Sequence, residues 1–502
     1  MLAMVFTQMR ECCALYLCLF FLSTTGCNVS STEKTRVSDA RPNIIIFVTD
    51  DQGYADVGAY EIRADIYTPN IDALAQNGVR MTNGYVTAPQ CVPSRAAIVS
   101  GVYQQRFGVD DNEYGPLPLS VTTVGEHFQE LGYRTGQVGK WDLDVTQNSF
   151  EWYSQMFPDQ EISRDSYPQI PFELRSSYYP SKRGFDETFS GYLNNYWTTF
   201  DLDGQSQNPR WIVDTDYRVD VVSNAAVTFV ERNHAVPFFL LVNHYAPHLP
   251  LEATPEKLAL FSEELPERRR YALAAMASVD DGVGEVIEAL RTYNIYDNTV
   301  IIFLSDNGAQ IALTTPDTPA SDTDNLWDGS LNEPLIGEKG MLTDGGIRIP
   351  YLIHWPTAFP AGEIVDEPVS SLDAIYTALK LAGASDAVLA QLDGVDLVPA
   401  IAGNGAYLNQ RPLYWRFWRQ SAVRVGDWKY ISAGSEREYL FDMTAPEVAR
   451  NNQLETQPEK AAELKLLLQN WEETLQRPAD NRAMNDAEQG FYSVHVEENE
   501  AE

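Results

Sequence analysis

Residues 43–58 read NIIIFVTDDQGYADVG, and the reading of this stretch decides the fold. Asn43 to Thr49 is a run of β-branched and aromatic residues without polar alternation, which predicts a strand buried on both faces. Asp50 and Asp51 follow at once, so the strand delivers two carboxylates at its tip. A strand of this kind needs helices on both sides, and the rest of the chain supplies them. Pro69 to Gly78 is helical in pattern, Val79 to Val86 strand-like, Thr123 to Leu131 helical and Thr135 to Gly139 a short strand. The amphipathic helix Val219 to Arg232 leads into the apolar strand Phe238 to Asn243. The long helix Arg268 to Tyr293 leads into Thr299 to Leu304, which ends on Ser305-Asp306-Asn307. Ile349 to Trp355 is a further strand and Ser371 to Ala382 a further helix. The alternation predicts an α/β domain with a large, mainly parallel sheet sandwiched by helices. Ligands of such sheets bind beyond the carboxyl ends of the strands, where Asp50-Asp51 and Asp306-Asn307 both fall.

From about Pro412 the pattern changes. Tyr414 to Phe417, Ala422 to Val425 and Trp428 to Ile431 read as short antiparallel strands, with a tight Gly426-Asp427 turn between the last two. A helix, Pro458 to Leu475, follows. The expected organisation is a large domain over 41–405, a smaller C-terminal subdomain of antiparallel strands and a helix over 406–480, and an acidic tail over 481–502, disordered from Glu497. Two aromatic-rich polar stretches, Asn148 to Tyr179 and Tyr192 to Trp211, read as long surface loops, and so does Gln310 to Leu331.

The 502 residues are 44% hydrophobic and 21% charged, an ordinary globular balance. A formal charge of −35 argues against nucleic acid as a partner. It also repels any polyanion at long range, so an anionic substrate has to be captured by local positive charge. Four of the five cysteines, Cys12, Cys13, Cys18 and Cys27, lie in the first 27 residues. Arg10 precedes an apolar run, Cys12 to Leu22, that is too short to span a bilayer, so residues 1–27 read as a secretory signal. Gly26-Cys27 and the polar linker 28–40 resemble a bacterial lipoprotein signal, although Thr24 stands where such signals usually carry leucine. The expectation is export to the periplasm or cell surface with a lipid anchor at Cys27, or plain cleavage.

The fifth cysteine, Cys91, stands in Cys91-Val92-Pro93-Ser94-Arg95 and has no partner for an intrachain disulfide. Ser94 to Ser100 can form a helix with Pro93 in its first turn, which places Cys91 at or just before the N-terminus. Free amides and the helix dipole there favour an anion. Asp50, Asp51, Asp306 and Asn307 offer only oxygen ligands, three of them anionic, which suits a hard divalent cation. Either pair alone is also common turn material. Lys140, in Gly139-Lys140-Trp141, Lys339, in a glycine-rich stretch, and His248, beyond the strand Phe238 to Asn243, are each unremarkable taken singly.

Together the segments resemble the formylglycine-dependent sulfatases of the alkaline phosphatase superfamily, from about Arg41 to Trp471. The ordered motifs are NIIIFVTDDQGYADVG (43–58), TPNIDALAQNGVRMTNGYV (68–86), CVPSRAAIVSG (91–101), GYRTGQVGKW (132–141), RGFDE (183–187), NHYAPHLPL (243–251), DNTVIIFLSDNG (297–308), GEKGMLTDGGIRIPYLIHWP (337–356) and VRVGDWKYI (423–431). The resemblance implies an alkaline phosphatase-like fold and hydrolysis of sulfate esters. It implies that a maturation enzyme reads Cys-x-Pro-x-Arg and oxidises Cys91 to formylglycine (3-oxoalanine). It further implies one Ca²⁺, or Mg²⁺ in its place, held by Asp50, Asp51, Asp306, Asn307 and residue 91. Arg95 would fix the formylglycine, Lys140 and Lys339 would hold sulfate oxygens, and His248 would sit near the leaving oxygen. Cation, lysines and metal suit a displacement at a sulfate whose charge is spread over its oxygens.

One position departs. The family usually reads Gly-Lys-Trp-His-Leu-Gly, and this chain has Gly139-Lys140-Trp141-Asp142-Leu143-Asp144. The missing histidine is assigned the proton removal that releases sulfate. Either Asp142 takes over as base or the pocket is rearranged for a particular substrate. Other readings are a formylglycine-dependent phosphodiester or phosphonate monoester hydrolase and a silent binder of sulfated polysaccharide. For substrate, Trp415, Arg416, Phe417, Trp418 and Arg419 would stack on sugar rings and fork onto sulfate if they line the cleft, or alternate into a core if they are simply a strand. The aromatic loops, acidity and anchor fit a bacterium processing algal polysaccharide.

Overall fold

The computed structural model describes residues 41–159, 164–312, 320–321, 327–444, 452–476 and 490–497. The predicted signal, Cys27 and the linker lie outside the described residues, as do part of the Gln310 to Leu331 stretch and most of the acidic tail. In chain order the strands are β1 (Asn43–Asp50), β2 (Val79–Met81), β3 (Gly84–Tyr85), β4 (Arg134–Gly139), β5 (Glu187–Tyr192), β6 (Asn195–Phe200), β7 (Ser206–Val213), β8 (Phe238–Pro247), β9 (Thr299–Ser305), β10 (Tyr351–His354), β11 (Glu363–Val365) and β12 (Val369–Ser370). Leu413–Phe417, Gln420–Val425, Trp428–Ala433 and Arg437–Asp442 follow as β13 to β16.

Ten strands form one sheet in the order β11-β2-β10-β9-β1-β8-β4-β5-β6-β7. β1 runs parallel to both β9 and β8, and β4 parallel to both β8 and β5. The antiparallel pairs lie towards the two edges. β1 shows why the apolar run was decisive. Ile44, Ile46 and Val48 point into one core, with Val92, Ile98 and Ile375 from the helices Cys91–Ser100 and Ser371–Leu381. Ile45 and Phe47 point into the other, with Val222, Phe229, Val283 and Leu290 from the helices Arg218–Asn233 and Glu267–Thr292. Each residue of β1 is therefore buried whichever way it points.

The C-terminal sheet runs β13-β14-β15-β16, all antiparallel. One face (Val423, Tyr430, Leu440) packs on the helix Pro458–Glu472, and the other (Trp415, Ala422, Ile431) joins the core of the large sheet. Tyr192 to Trp211 is not a loop: it holds β6 and most of β7 and extends the large sheet to its edge. Asn195–Phe200 alternates in burial, and its polar positions had masked the strand. Asn148 to Tyr179 carries two short helices over a small core of its own, Val145, Tyr153, Ile170 and Tyr178. The segment 490–497 is ordered against the fold: Tyr492 and Val496 are buried, and Glu497 pairs with Arg437 at 2.7 Å.

Candidate active site

The chain brings its charged motifs together at the carboxyl ends of four adjacent parallel strands. β1 ends on Asp50 and passes to Asp51, β9 leads into Asp306 and Asn307, β4 into Lys140, and β8 towards His248. Cys91 opens the helix Cys91–Ser100, and Arg95 follows one turn along it. Asp51, just past the end of β1, is held at φ 61°, a left-handed conformation uncommon for a residue other than glycine. Gly139 is at φ 83°, and a Cβ there would lie 1.9 Å from the Asn243 carbonyl oxygen, so no side chain fits where β4 hands over to Lys140.

The floor of the site is acidic and buried. Asp50, Asp51, Asp306, Asn307 and Cys91 are all buried. The Cys91 Sγ lies 3.4 Å from Asp50 Oδ1 and 3.8 Å from Asp51 Oδ1. One donor atom each from Asp50, Asp51, Cys91 and Asp306 falls within 4.8 Å of the others. Oxygen ligands of a Ca²⁺ at about 2.3–2.6 Å cannot be farther apart than about 5 Å, so the spacing fits a single ion. Asn307 donates to Asp51 Oδ1 at 2.6 Å and leaves its own Oδ1 buried with no partner. A buried acceptor without a donor, beside three carboxylates, is the polar atom a cation would satisfy.

The walls are basic. Arg95 donates from Nε to Asp306 Oδ2 at 2.8 Å, and its guanidinium reaches to 3.7 Å from Asp50. Lys140 Nζ donates to Asp50 Oδ2 at 2.7 Å and lies 3.0 Å from Asp142 Oδ2. Lys339 Nζ donates to Asp51 Oδ2 at 2.7 Å, and His248 Nε2 stands 3.7 Å from the same oxygen. Burial opposes charge on both lysines, yet Asp142 and Asp50 hold Lys140 well above its ordinary value, and Asp51 does the same for Lys339. Both are ionised. Burial pushes Asp306 up despite Arg95, and pushes the Cys91 thiol up as well. Asp50 is also buried, but Lys140, His248 and Arg95 carry it well below the carboxylate range. Desolvation lowers His248 against the pull of Asp50 and Asp51. Its Nδ1 faces the Leu249 carbonyl at 2.7 Å, which places the proton of the neutral ring on Nδ1 and leaves Nε2 towards the site.

The structure thus gathers the candidate catalytic and metal residues of the sequence: Asp50, Asp51, Cys91, Arg95, Lys140, Asp142, His248, Asp306, Asn307 and Lys339. Asp142 is at the rim, at φ 58°, with about a third of its side chain exposed. The aromatic stretch of β13 does not line this site. Trp415 and Phe417 are core, and Trp415 donates to the Val86 carbonyl at 2.7 Å. Arg416 is buried on Asp110 at 2.8 Å, and Trp418 donates to Asp111 at 2.6 Å. Strand alternation, not sugar binding, accounts for Trp415 and Phe417.

Two supports escaped the sequence reading. The Tyr192 ring stands 5.7 Å from Lys140 Nζ, and its hydroxyl donates to the Leu249 carbonyl at 3.1 Å. Glu338, next to Lys339, accepts from the Ile311 and Ala312 amides at 2.8 and 2.7 Å and meets His495 Nε2 at 2.8 Å. Tyr192 lay in a stretch flagged as aromatic, but nothing local marks His495, which is 157 residues away from Glu338.

The Sulfatase family model matches residues 42–384. Arylsulfatase J of Mus musculus is 29% identical over 432 residues, covering 78% of this chain and 64% of its own. The uncharacterized sulfatase YdeN of Escherichia coli (strain K12) is 31% identical over 412 residues, 75% of this chain and 70% of its own. Among solved structures, that of Ps i-CgsB in complex with k-i-k-neocarrahexaose superposes with a TM-score of 0.72 at 30% identity, over 91% of this chain and 98% of the other. A match over most of the described chain, with the motif residues meeting in one buried site, leads to one assignment: the chain belongs to the sulfatase family.

Proposed function

We propose that this protein is an exported sulfatase that removes sulfate from a sulfated polysaccharide of algal type, or from its oligosaccharides, with residue 91 in the formylglycine form and one divalent cation. The carrying observation is the convergence of Asp50, Asp51, Cys91 and Asp306 within 4.8 Å under three cationic side chains. A thiol is the odd member of that donor set, because hard cations select oxygen. Conversion of Cys91 to an aldehyde hydrate would make the set all oxygen, which supports the modification. The complex of Ps i-CgsB with k-i-k-neocarrahexaose supports a saccharide of that kind as substrate. The apolar run and Cys27 in residues 1–27 support export and lipid anchoring.

Asp50, Asp51, Asp306 and Asn307 would hold the cation, a Lewis acid towards the sulfate oxygens. The hydrated aldehyde would supply a hydroxyl nucleophile that ordinary side chains lack. Lys140 and Lys339, both ionised, flank the floor and would take the remaining sulfate charge as it grows. Arg95 keeps Asp306 in register from one helical turn behind residue 91. His248, with Nδ1 tied to Leu249, exchanges its proton only at Nε2, on the side where the sugar oxygen departs. Asp142, fixed beside Lys140 at the rim, is the base for sulfate release.

Mass spectrometry of the peptide carrying residue 91, from protein co-expressed with a maturation enzyme, tests the modification. Turnover of sulfate and phosphate esters, with and without chelator, tests the reaction. Sulfate ester hydrolysis that chelator abolishes is expected. Preference for phosphodiesters would assign the chain to that chemistry, and saccharide binding without turnover would make it a binder.

A further inference from the structure

The edge of the large sheet carries aromatic side chains that the proposed reaction does not use. In an antiparallel ladder, paired residues and every second residue along a strand share one face. Tyr192 pairs with Asn195 and Ser190 with Trp197 between β5 and β6; Asn195 pairs with Val213 and Trp197 with Trp211 between β6 and β7. Tyr192, Trp197 and Trp211 therefore lie on the same face. The opposite face carries Tyr196 and Phe200, which are sealed in the core.

One end of this face borders the active site. Tyr192 stands against Lys140. Trp197 and Trp211 lie 5.7 Å apart, and Tyr179 contacts both, at 5.3 and 5.8 Å. Phe172 completes the group, 5.6 Å from Trp197. From Tyr192 to Trp211 the sheet spans two strand spacings, about 10 Å, and two residues along the strand, about 7 Å. Nor is the group sealed as a packing cluster would be. Trp211 is 48% exposed, Phe172 42% and Tyr192 38%. Contiguous aromatic surface left in water marks a place where something docks.

We infer that the Tyr192–Trp197–Trp211–Phe172 face is a sugar-binding platform that holds the saccharide units beyond the one bearing the scissile sulfate. The inference rests on the sulfatase reading above. A pyranose ring has one face of C–H groups and a rim of hydroxyls, so it stacks on a flat aromatic ring while its polar rim stays in water. A cation belongs beside such rings if the glycan carries further sulfates. Arg175 fills that place, stacked 4.7 Å over Tyr167 and close enough to Tyr179 to affect its ionisation. Bulk attraction cannot supply this in a chain of charge −35.

The test compares Phe172→Ala/Trp211→Ala with Trp211→Phe in the mature enzyme, on a small aryl sulfate and on a size series of sulfated oligosaccharides. The double alanine variant is expected to raise KM for oligosaccharides of four or more units by about tenfold, the scale of two lost ring contacts. Its kcat and its kcat/KM on the aryl sulfate should stay within about twofold, and Trp211→Phe should restore most of the loss. Equal losses on both substrates, or none on either, would overturn the platform. Tryptophan fluorescence titration with the same oligosaccharides gives a readout independent of turnover. A quench in the wild type that the double variant loses supports the platform even if sulfate release itself fails. A quench of unchanged amplitude and midpoint in the double variant would place the saccharide elsewhere.

Discussion

Asp306 and Asp344 are both buried aspartates with basic partners, yet their surroundings differ in kind. Asp344 accepts from Lys429 at 2.7 Å and from the Tyr85 hydroxyl at 2.9 Å, with Arg348 at 3.5 Å. Arg424 turns to Asn83, Tyr85 and the Gly426 carbonyl. The excess positive charge rests on ring faces: Lys429 stands 5.3 Å over Trp415, and Arg424 5.3 Å over Tyr85. None of these five side chains leaves a buried polar atom unpartnered. Around Asp306 three carboxylates and a thiol crowd one point, and Asn307 Oδ1 has no partner. Burial pushes Asp306 up, whereas Lys429, Arg348 and Arg424 overcome burial and hold Asp344 well below its ordinary value. A buried cluster in which every group is matched fastens the C-terminal sheet to the large one. A buried cluster that leaves Asn307 Oδ1 and the Arg95 Nη1 and Nη2 atoms without hydrogen-bond partners is built around something added later.

The difference can be broken most severely at Asp306. Asp306→Asn should cost at least about 10³-fold in turnover, the scale of lost metal and charge stabilisation. It should also remove the rise in melting temperature that Ca²⁺ is expected to give the wild type, which a thermal scan with and without chelator reads directly. A calcium response that survives the substitution would make the acidic floor structural, like the Asp344 cluster.

Next in size is Lys429→Met, which leaves Asp344 without its shortest partner. Breaking a buried pair in this way should cost about 3–5 kcal/mol in urea unfolding, with turnover per folded molecule unchanged. The pH dependence has a fixed sign. Asp344 has a depressed value when folded, so its contribution is complete above the unfolded value of 3.8 and declines as pH falls below that. Asp344→Asn should flatten the acid limb of the stability profile, and an unaltered limb would refute the structural reading of this cluster.

Asp142→Asn sharpens the comparison at the rim. If the carboxylate is the base for sulfate release, steady turnover should fall by about 10²-fold after a burst of one alcohol per enzyme, as rapid-quench kinetics would show. A rise in KM without a burst would make Asp142 a shaping residue only. The smallest effect expected is that of His495→Ala, which removes one partner of Glu338. A decrease of a few-fold in kcat, with KM little changed and His495→Gln restoring part of it, would identify a positioning role for Lys339.

Much of this site was readable because β1, β4, β8 and β9 are short parallel strands whose last residues must meet at one edge of the sheet. Asp50 and Asp306 needed only that rule and an apolar run before each, whereas Lys140, after Thr135 to Gly139, was singled out by the family resemblance. Alternation decided two places. In β13 it put Trp415 and Phe417 into the core, although their chemistry suited a sugar. In β6 it was hidden by threonines and an asparagine, so a strand passed for a loop. Glu338 and His495 could not be paired from sequence, because contact across 157 residues follows from how the whole chain closes.

That last contact has a consequence for the order of events in synthesis. The loop bearing Lys339 is hydrogen-bonded within its own neighbourhood through Ala309 and Pro89, but Glu338 meets its histidine only after 157 further residues have been added. At about 5–20 residues per second that interval is roughly 8–30 s. A nascent chain can therefore have its large sheet formed, its acidic floor assembled and Cys91 already enclosed while the lysine loop still lacks its distal brace. Any chemistry that must reach the Cys91 thiol has its opening before that enclosure, and the competent lysine arrives at the other end of the interval.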